Sequence, residues 1–257
     1  MKIDFYKYQG TGNDFIIIDN RNKFFSKNNK ELISQMCNRR YGIGADGLLL
    51  LENHATLDFI MHYYNADGNL GSMCGNGGRC MVHFASFLNM IKEKTQFEAV
   101  DGVHNATISE GIVSLKMNDV AKVNVSNNHV FLDTGSPHHI KFVENLKNYN
   151  VEKEGAAIRN NTYGNVGANI NFVEAINKNT FAVRTYERGV EAETLSCGTG
   201  VTAVAIALFE TNKTSSNTVA LHTKGGILNV NFNKTEAGYK DIYLKGPASQ
   251  VFKGTWQ

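Results

Sequence analysis

Two cysteines, Cys74 and Cys197, each stand directly before a Gly-x-Gly sequence and an apolar run. The first lies in NADGNLGSMCGNGGRC and the second in TLSCGTGVTAVAIALF. At the start of a helix, such a turn presents backbone N–H groups that favour negative charge and lower the pKa of a thiol. The glycines also let a bound anion approach the backbone closely. Each turn therefore suggests a reactive thiol beside a site for a carboxylate.

The pair suggests acid/base chemistry on one carbon atom. One thiolate would remove a proton while the other thiol supplies a proton to the opposite face, which inverts a stereocentre. The α-carbon of an amino acid is a weak acid, so amides aimed at its carboxylate would have to stabilise the carbanion. Closure of two domains around the substrate would exclude water. A single cysteine before a helix is more often a small buried residue, and the matching contexts favour the catalytic interpretation.

The other two cysteines, Cys37 and Cys80, are predicted to be packing residues. Cys37 lies on the apolar face of the amphipathic segment 30–40, and Cys80 falls inside the helix that follows Cys74. The closest cysteine spacing is Cys74-x5-Cys80, and no histidine pair stands at ligand spacing near Cys197, so we expect reduced thiols and no metal.

Strand-like segments dominate the chain, with β-branched or aromatic residues bounded by turn residues. They cover 15–19, 57–64, 107–117, 128–134, 170–176, 180–187, 226–232 and 241–246. Helices are predicted over 30–40, 78–91 and 199–210. The last two are apolar almost all round, so each should be enclosed by other structure. The sequence predicts an α+β protein.

The order of features indicates an internal duplication. Each half runs through a strand, a Thr-Gly turn (GTGNDF or DTGSPH), more strands, a cysteine turn and a buried helix. We therefore predict two similar domains, 1–120 carrying Cys74 and 121–257 carrying Cys197. Each would be a mostly antiparallel sheet or barrel around a central helix, with the active site in the cleft between them. The boundary would fall near 118–127. A return of the last strand to the first domain is left open.

Charge and hydropathy exclude several classes of function. The chain has 26 Lys and Arg against 24 Asp and Glu, and no basic block suggests a nucleic-acid partner. The longest apolar run, 201–209, is too short to cross a bilayer. The opening MKIDFYKYQG lacks the apolar stretch of a signal peptide, so we expect a cytoplasmic protein without a membrane partner.

Beyond the two cysteine turns, the sequence resembles the diaminopimelate epimerases. The matching segments run in family order over 8–200: YQGTGNDFIIID, RYGIGADGLLL, YNADGNLGSMCGNGGRC, DTGSPHHI, NINFVE and TYERGVEAETLSCGTG. The resemblance implies interconversion of LL- and meso-2,6-diaminopimelate in lysine and peptidoglycan synthesis. It also implies a homodimer that acts on a small molecule and needs no cofactor, pyridoxal phosphate included, and no metal.

The resemblance also implies residue roles. Cys74 and Cys197 would be the acid/base pair; the family convention makes the first the proton donor and the second the acceptor, and the roles exchange with substrate direction. The reacting α-carboxylate would be bound by Gly75, Asn76, Gly198 and Thr199. The rest of the substrate would be held by Asn13, Asn65, Asn169 and Arg188, with the Arg188 fork on the distal carboxylate.

Two further residues would tune the thiols. Glu187 would engage the reacting amino group and bias the neighbouring cysteine, and His138 would influence the pKa of a cysteine. Taken alone, the asparagines are typical turn residues, the histidine a hydrogen-bonded core residue, and Glu187 with Arg188 an exposed turn. Gly47 and Ser136 are less certain substrate contacts, because some relatives carry Gln at the first position and many carry Asn at the second.

Several alternatives remain open. Proline racemase and hydroxyproline epimerase also use paired cysteines, but on a substrate with one carboxylate; the YERG segment with Arg188 favours a dicarboxylate. Isomerases of the phenazine-biosynthesis type share the fold but lack the cysteine pair. A redox sensor, whose thiols form a disulfide, and a binding module without catalysis belong to different classes.

Overall fold

The computed structural model describes residues 2–257, which form two compact units. The Cys74 unit runs to Leu115 and also contains Gly246–Gln257. The Cys197 unit is Lys116–Lys245. We describe the two units separately.

The Cys74 unit begins with seven strands and two helices. In chain order they are β1 (Ile3–Gly10), β2 (Asn13–Asp19), α1 (Lys30–Cys37), β3 (Gly47–Glu52), β4 (Phe59–Asn65), α2 (Gly75–Phe87), β5 (Lys94–Ala99), β6 (Gly102–Ser109) and β7 (Ile112–Lys116).

The Cys197 unit contains nine strands, two helices and a single 3₁₀ turn at Leu146–Asn148. In chain order they are β8 (Val123–Val125), β9 (Val130–Asp133), β10 (Pro137–Phe142), α3 (Val151–Tyr163), β11 (Asn169–Asn177), β12 (Thr180–Glu187), β13 (Ala192–Thr194), α4 (Gly198–Glu210), β14 (Thr218–Thr223), β15 (Gly226–Thr235) and β16 (Gly238–Pro247). The last strand, β17 (Ser249–Trp256), pairs antiparallel with β1 of the Cys74 unit.

The strands of the two units pair in the same order. From β1 to β7 the successive pairings are antiparallel, parallel, antiparallel, parallel, antiparallel and antiparallel. The series β9, β10, β11, β12, β14, β15 and β16 repeats these six senses in order. The helices also correspond, because one helix connects the two strands of each parallel pair. Helix α1 lies between β2 and β3 in the chain as α3 lies between β10 and β11, and α2 lies between β4 and β5 as α4 lies between β12 and β14. The predicted duplication is therefore present in the topology.

Each unit encloses its second helix. Helix α2 packs against strands β1 to β4, β6 and β17, and ten of its 13 residues are buried. Helix α4 packs against β9, β10, β11, β14 and β15, and Val201 and Ala203–Leu208 lie in the core of the Cys197 unit. A helix without a polar face needs such enclosure. The predicted α+β fold, with two similar units around buried helices, is confirmed.

Element boundaries differ from the prediction at several points. Helix α2 begins at Gly75, three residues before the predicted start, because Cys74 itself is the N-cap. The segment 107–117 is a hairpin rather than one strand, since Glu110 and Gly111 turn the chain with φ of 51° and 76°. Helix α3 was not predicted at all: only Val151 and Gly155 of its residues are buried, so it shows little apolar periodicity.

The remaining sequence expectations concern packing and membranes. Cys37 is 3 % exposed and Cys80 is fully buried, which confirms both as packing residues. Among residues 2–257, no helix has both the length and the apolar character needed to span a membrane. Within that same described stretch, no group of three or more His, Cys, Asp or Glu side chains could hold a metal ion.

Candidate active site

The predicted site residues lie at corresponding ends of elements in the two units. Gly47 and Asn169 begin β3 and β11, and Asn65 and Glu187 end the neighbouring strands β4 and β12. Within the Cys74 unit, Gly47 pairs directly with Asn65. The cysteines come immediately before α2 and α4. One end of each unit therefore gathers the residues selected from its half of the sequence.

Cys74 is the N-cap of α2, with an extended backbone at φ −113° and ψ 116°. Its Sγ accepts a hydrogen bond from the Gly77 N–H at 3.5 Å and donates to Asn13 Oδ1 at 3.6 Å. The first bond takes the place of the side-chain cap that Ser or Asp usually supplies. The second gives the thiol proton an acceptor, so this arrangement suits a proton donor.

Asn13 and Asn76 meet beside this thiol. Asn76 Nδ2 donates to Asn13 Oδ1 at 3.2 Å, so that oxygen accepts from both the amide and the thiol. Asn76 Oδ1 in turn accepts from Arg79 Nη2 at 2.9 Å. Arg79 also donates to Thr11 Oγ1 at 3.1 Å, which ties the first Thr-Gly turn to the start of α2.

Arg79 is a buried cation without a carboxylate partner in residues 2–257. Its side chain is fully buried, its Nη1 donates to the Gly75 carbonyl at 3.2 Å, and its Nε has no hydrogen-bond partner. Burial lowers the pKa of its guanidinium, which nevertheless stays charged at neutral pH. Sequence reasoning missed this residue. The signal was a single Arg in a helix with no Asp, Glu or Lys and with most of its residues buried, where an ionised side chain rarely lies without a specific role.

On its other side, Asn13 is held by a cluster of charged residues. Its Nδ2 donates to Asp46 Oδ2 at 2.6 Å, and Arg39 Nη2 bridges Asp46 and Asp14 at 2.7 Å each. Lys7 pairs with Asp14 at 2.6 Å. Burial alone would raise the pKa of Asp14, but the hydrogen bonds from Arg39 and Lys7 outweigh it and lower that pKa to about 2. Asp46 was also missed by sequence reasoning.

Cys197 caps α4 with nearly the same backbone, at φ −120° and ψ 111°. Its Sγ lies 3.5 Å from Thr199 Oγ1, and either atom can donate. Thr134 Oγ1 donates to the Thr199 carbonyl at 2.9 Å, so the second Thr-Gly turn is also tied to its helix. A Cβ on Gly200 would lie 2.6 Å from Asn171 Oδ1 and 3.2 Å from Cys197 Sγ, so any larger residue would have to displace these neighbours.

His138 belongs to a buried neutral network. Asn171 Nδ2 donates to His138 Nδ1 at 3.1 Å and to the His139 carbonyl at 3.2 Å, while Asn171 Oδ1 accepts from Thr185 Oγ1 at 3.0 Å. Because Nδ1 accepts, the proton of the neutral ring lies on Nε2, a buried donor with no partner in residues 2–257. Burial, with a smaller contribution from Arg188, lowers the pKa of His138 to about 3.

Three predicted residues of the Cys197 unit form one polar group. Asn169 Nδ2 donates to Ser136 Oγ at 3.0 Å, and Asn169 Oδ1 accepts from the Arg188 backbone N–H at 2.9 Å. Arg188 Nη2 lies 3.4 Å from the same Ser136 oxygen. The exposed guanidinium is anchored at its base and offers a fork that fits a carboxylate.

Gly47 has no room for a longer side chain. A Cβ there would lie 2.4 Å from the Tyr64 carbonyl oxygen and 2.5 Å from the Tyr63 ring. The Tyr63 ring therefore occupies the space that a glutamine would need at this position. Asn65 closes the adjacent turn, because its carbonyl accepts from the Gly68 N–H at 2.9 Å. Gly47 and Asn65 remain predicted substrate contacts.

The chain is similar in sequence to known proteins. The sequence profile described as "Diaminopimelate epimerase" matches residues 5–123 and 130–251. The diaminopimelate epimerase of Flavobacterium psychrophilum is 58% identical over 252 residues, covering 97% of this chain and 98% of the relative. That of Chlorobaculum tepidum is 44% identical over 257 residues, covering 96% of this chain and 98% of the relative.

The fold has solved counterparts at low identity. A Bacillus anthracis phenazine biosynthesis protein of the PhzF family superposes with a TM-score of 0.80 at 13% identity, covering 100% of this chain and 99% of that protein. This likeness concerns the fold alone, whereas the profile and the two relatives cover both cysteine turns. The chain belongs to the diaminopimelate epimerase family.

Proposed function

We propose that this chain interconverts LL- and meso-2,6-diaminopimelate, with Cys74 and Cys197 as the acid/base pair. The observation that carries the proposal is that both cysteines are N-caps with matching backbone angles, on corresponding helices of two units with one topology. Family membership supplies the substrate, since the relatives are named for it.

In one direction, the Cys197 thiolate would remove the α-proton. The electron pair of the broken C–H bond stays on the α-carbon, next to the carboxylate. The Cys74 S–H bond then breaks and delivers its proton to the opposite face of that carbon. The Cys74 thiol is suited to this role because its proton already has an acceptor in Asn13. The reverse reaction exchanges the two roles.

The carbanion needs positive potential at the α-carboxylate. The first turns of α2 and α4 supply N–H groups and the positive ends of two helix dipoles, at Gly75 with Asn76 and at Gly198 with Thr199. Arg79 adds a full positive charge behind Asn76. We infer that these groups stabilise the carbanion more than the substrate, because the carbanion places additional negative charge near the carboxylate.

The distal end of the substrate would be held by Arg188, Asn169 and Ser136. These three are hydrogen-bonded to one another, and the Arg188 fork suits a second carboxylate. Asn13, Asn65 and Glu187 would complete the polar contacts, Glu187 to the reacting amino group. His138 would act as a neutral donor through Nε2 toward a cysteine or the substrate. Gly47 would contribute only its backbone.

We further propose that the active form is a cytoplasmic homodimer, as the family resemblance implies. Light scattering coupled to size-exclusion chromatography of the full chain measures the molecular mass directly. We expect twice the 28.4 kDa of one chain, and a mass of one chain under assay conditions would contradict the dimer.

Solvent-hydrogen exchange tests the reaction. The chain is incubated in D₂O with LL-diaminopimelate and, separately, with L-proline, without added cofactor, and the α-hydrogen signal is followed by NMR. We expect loss of that signal and appearance of the meso isomer with diaminopimelate alone. Exchange on proline without exchange on diaminopimelate would overturn the substrate assignment in favour of a proline-type racemase.

A further inference from the structure

We propose that Asp46 and Arg79 are positioning residues that lock the amides of Asn13 and Asn76, so that Asn13 Oδ1 faces the Cys74 thiol and keeps it protonated. This role deepens the proposed function and rests on it. Neither Asp46 nor Arg79 needs to touch the substrate, since both act through the two asparagines.

The hydrogen bonds form one chain with a fixed direction. Arg79 Nη2 donates to Asn76 Oδ1 at 2.9 Å, Asn76 Nδ2 to Asn13 Oδ1 at 3.2 Å, and Asn13 Nδ2 to Asp46 Oδ2 at 2.6 Å. A guanidinium can only donate and an ionised carboxylate can only accept. Turning either amide over would place two donors or two acceptors against each other. The two charged ends therefore fix both amide orientations.

The consequence falls on the thiol. With its nitrogen held by Asp46, Asn13 can present only its oxygen to Cys74 Sγ, which donates to it at 3.6 Å. An amide oxygen accepts from a thiol and repels a thiolate, whereas an amide nitrogen would do the opposite. The locked orientation favours the protonated form of this one cysteine, as the proposed proton donor requires.

Asp46 is the better end to test. Its side chain is 43% exposed, whereas Arg79 is fully buried and its replacement can disturb folding. Asp46→Ala removes both the charge and the acceptor. Asp46→Asn removes the same charge but keeps an oxygen for Asn13, and Arg39 retains both bonds to Asp14, at 3.1 and 2.7 Å. The pair of variants separates orientation from charge.

The measurement is the rate of Cys74 alkylation by iodoacetamide at pH 7, followed by peptide mass spectrometry on the full chain. Alkylation requires the thiolate. In Asp46→Ala only the bond from Asn76 still holds the Asn13 amide. Its nitrogen therefore turns to the sulfur more often, and we expect alkylation about fivefold faster than in the wild type, the size of one hydrogen bond. Asp46→Asn should stay near the wild-type rate.

Two results would overturn the proposal: an unchanged rate in Asp46→Ala, or equal acceleration in both variants, which would assign the effect to charge alone. If Asp46→Ala is unfolded by circular dichroism, Asp46→Leu, which also lacks an acceptor, replaces it. No substrate is needed, so the result is independent of turnover. Wild-type chain that fails to epimerise diaminopimelate would reject the proposed function even where the alkylation rates follow this pattern.

Discussion

The starts of α2 and α4 share a backbone but differ in chemistry. Cys74 and Cys197 cap their helices with φ and ψ angles that agree within 7° and 5°. Cys74 Sγ accepts from the Gly77 N–H and donates to the side-chain oxygen Oδ1 of Asn13. Cys197 Sγ makes no capping bond and lies beside the Thr199 hydroxyl, which can either donate or accept.

The difference extends one turn into each helix. Arg79 and Thr202 stand five residues after their cysteines, and each donates to the carbonyl of the glycine that follows its cysteine, at 3.2 and 2.9 Å. Both are fully buried, but one carries a positive charge. A duplicated scaffold thus keeps symmetric backbones while its side chains diverge. In each direction of a two-base reaction one thiol starts protonated and the other does not. The different side chains beside Cys74 and Cys197 bias which of the two holds the proton.

Removal of either thiol should have the largest effect. We expect Cys74→Ala and Cys197→Ala each to lower the epimerisation rate by about a thousandfold or more, because each deletes one of the two proton-transfer groups. Conversion of LL- to meso-diaminopimelate followed by chiral chromatography measures it. Cys37→Ala is the matched control, since Cys37 is buried in the core and should keep its turnover. Full activity in either single variant would reject the two-base scheme.

Exchange of the residues five positions into the helices comes next. Arg79→Thr copies the Cys197 unit and should lower kcat by about a hundredfold, since it removes a charge and frees the Asn76 amide near the reacting group. Thr202→Val removes only the neutral hydroxyl and should change kcat by less than about threefold. Steady-state kinetics on folded samples measures kcat for both variants. If Arg79→Thr does not fold, Arg79→Lys replaces it. Equal losses from both changes would mean that the asymmetry has no role in catalysis.

The glycines three residues after each cap, Gly77 and Gly200, differ in the space around them. A Cβ on Gly200 would lie 2.6 Å from Asn171 Oδ1, which Thr185 holds in place, whereas a Cβ on Gly77 would meet nothing closer than 3.4 Å. Gly200→Ala should therefore displace Asn171 and lower kcat/KM by about tenfold, the cost of one buried hydrogen bond. Gly77→Ala should remain close to the wild type. The reverse order of the two variants would contradict these contacts.

The sequence predicted the repeated architecture because its signals are local. Cys-Gly-x-Gly before an apolar run marks a helix start, and two such runs require two enclosing sheets. It missed the first turn of α2 because Gly75–Gly78 has low helix propensity, which the cap at Cys74 and the surrounding strands override. Helix α3 gave only end signals, Asn150 as the cap followed by Glu152 and Glu154, since it packs by one short face.

The positioning residues were beyond reach for a different reason. Asp46 and Arg79 are far from Asn13 in sequence, and only the folded sheet and helix bring the three side chains into one hydrogen-bond chain. The polar group of Ser136, Asn169 and Arg188 was suggested by the family resemblance, but its internal bonds depend on the pairing of β10 with β11. Long-range polar contacts carry no periodic signal in a sequence.

Two ionisable residues, His139 in the Cys197 unit and Asp14 in the Cys74 unit, differ in their response to acid. In the Cys197 unit, burial, helped by His129 and Lys141, lowers the pKa of His139 to about 4. In the unfolded chain this ring takes up a proton near pH 6.5. The contribution of neutral His139 to the free energy of unfolding is therefore complete above that pH and is lost progressively down to about pH 4. In the Cys74 unit, Asp14 has its pKa lowered to about 2, so its contribution is present above pH 4 and is lost only below it.

The smallest effect expected at neutral pH is that of replacing His139, whose titration changes the free energy of unfolding only in acid. His139→Asn abolishes the titration, and we expect its urea-unfolding free energy to fall less than that of the wild type between pH 6.5 and 4, by at most about 3 kcal/mol. Asp14→Asn should instead match the wild-type slope in that window and lose its deficit, about 2 kcal/mol at pH 7, only between pH 4 and 2. Parallel curves for the wild type and His139→Asn would show that the ring is not held neutral. His139 would then be charged in the folded protein despite its burial, as Asp14 is in the Cys74 unit.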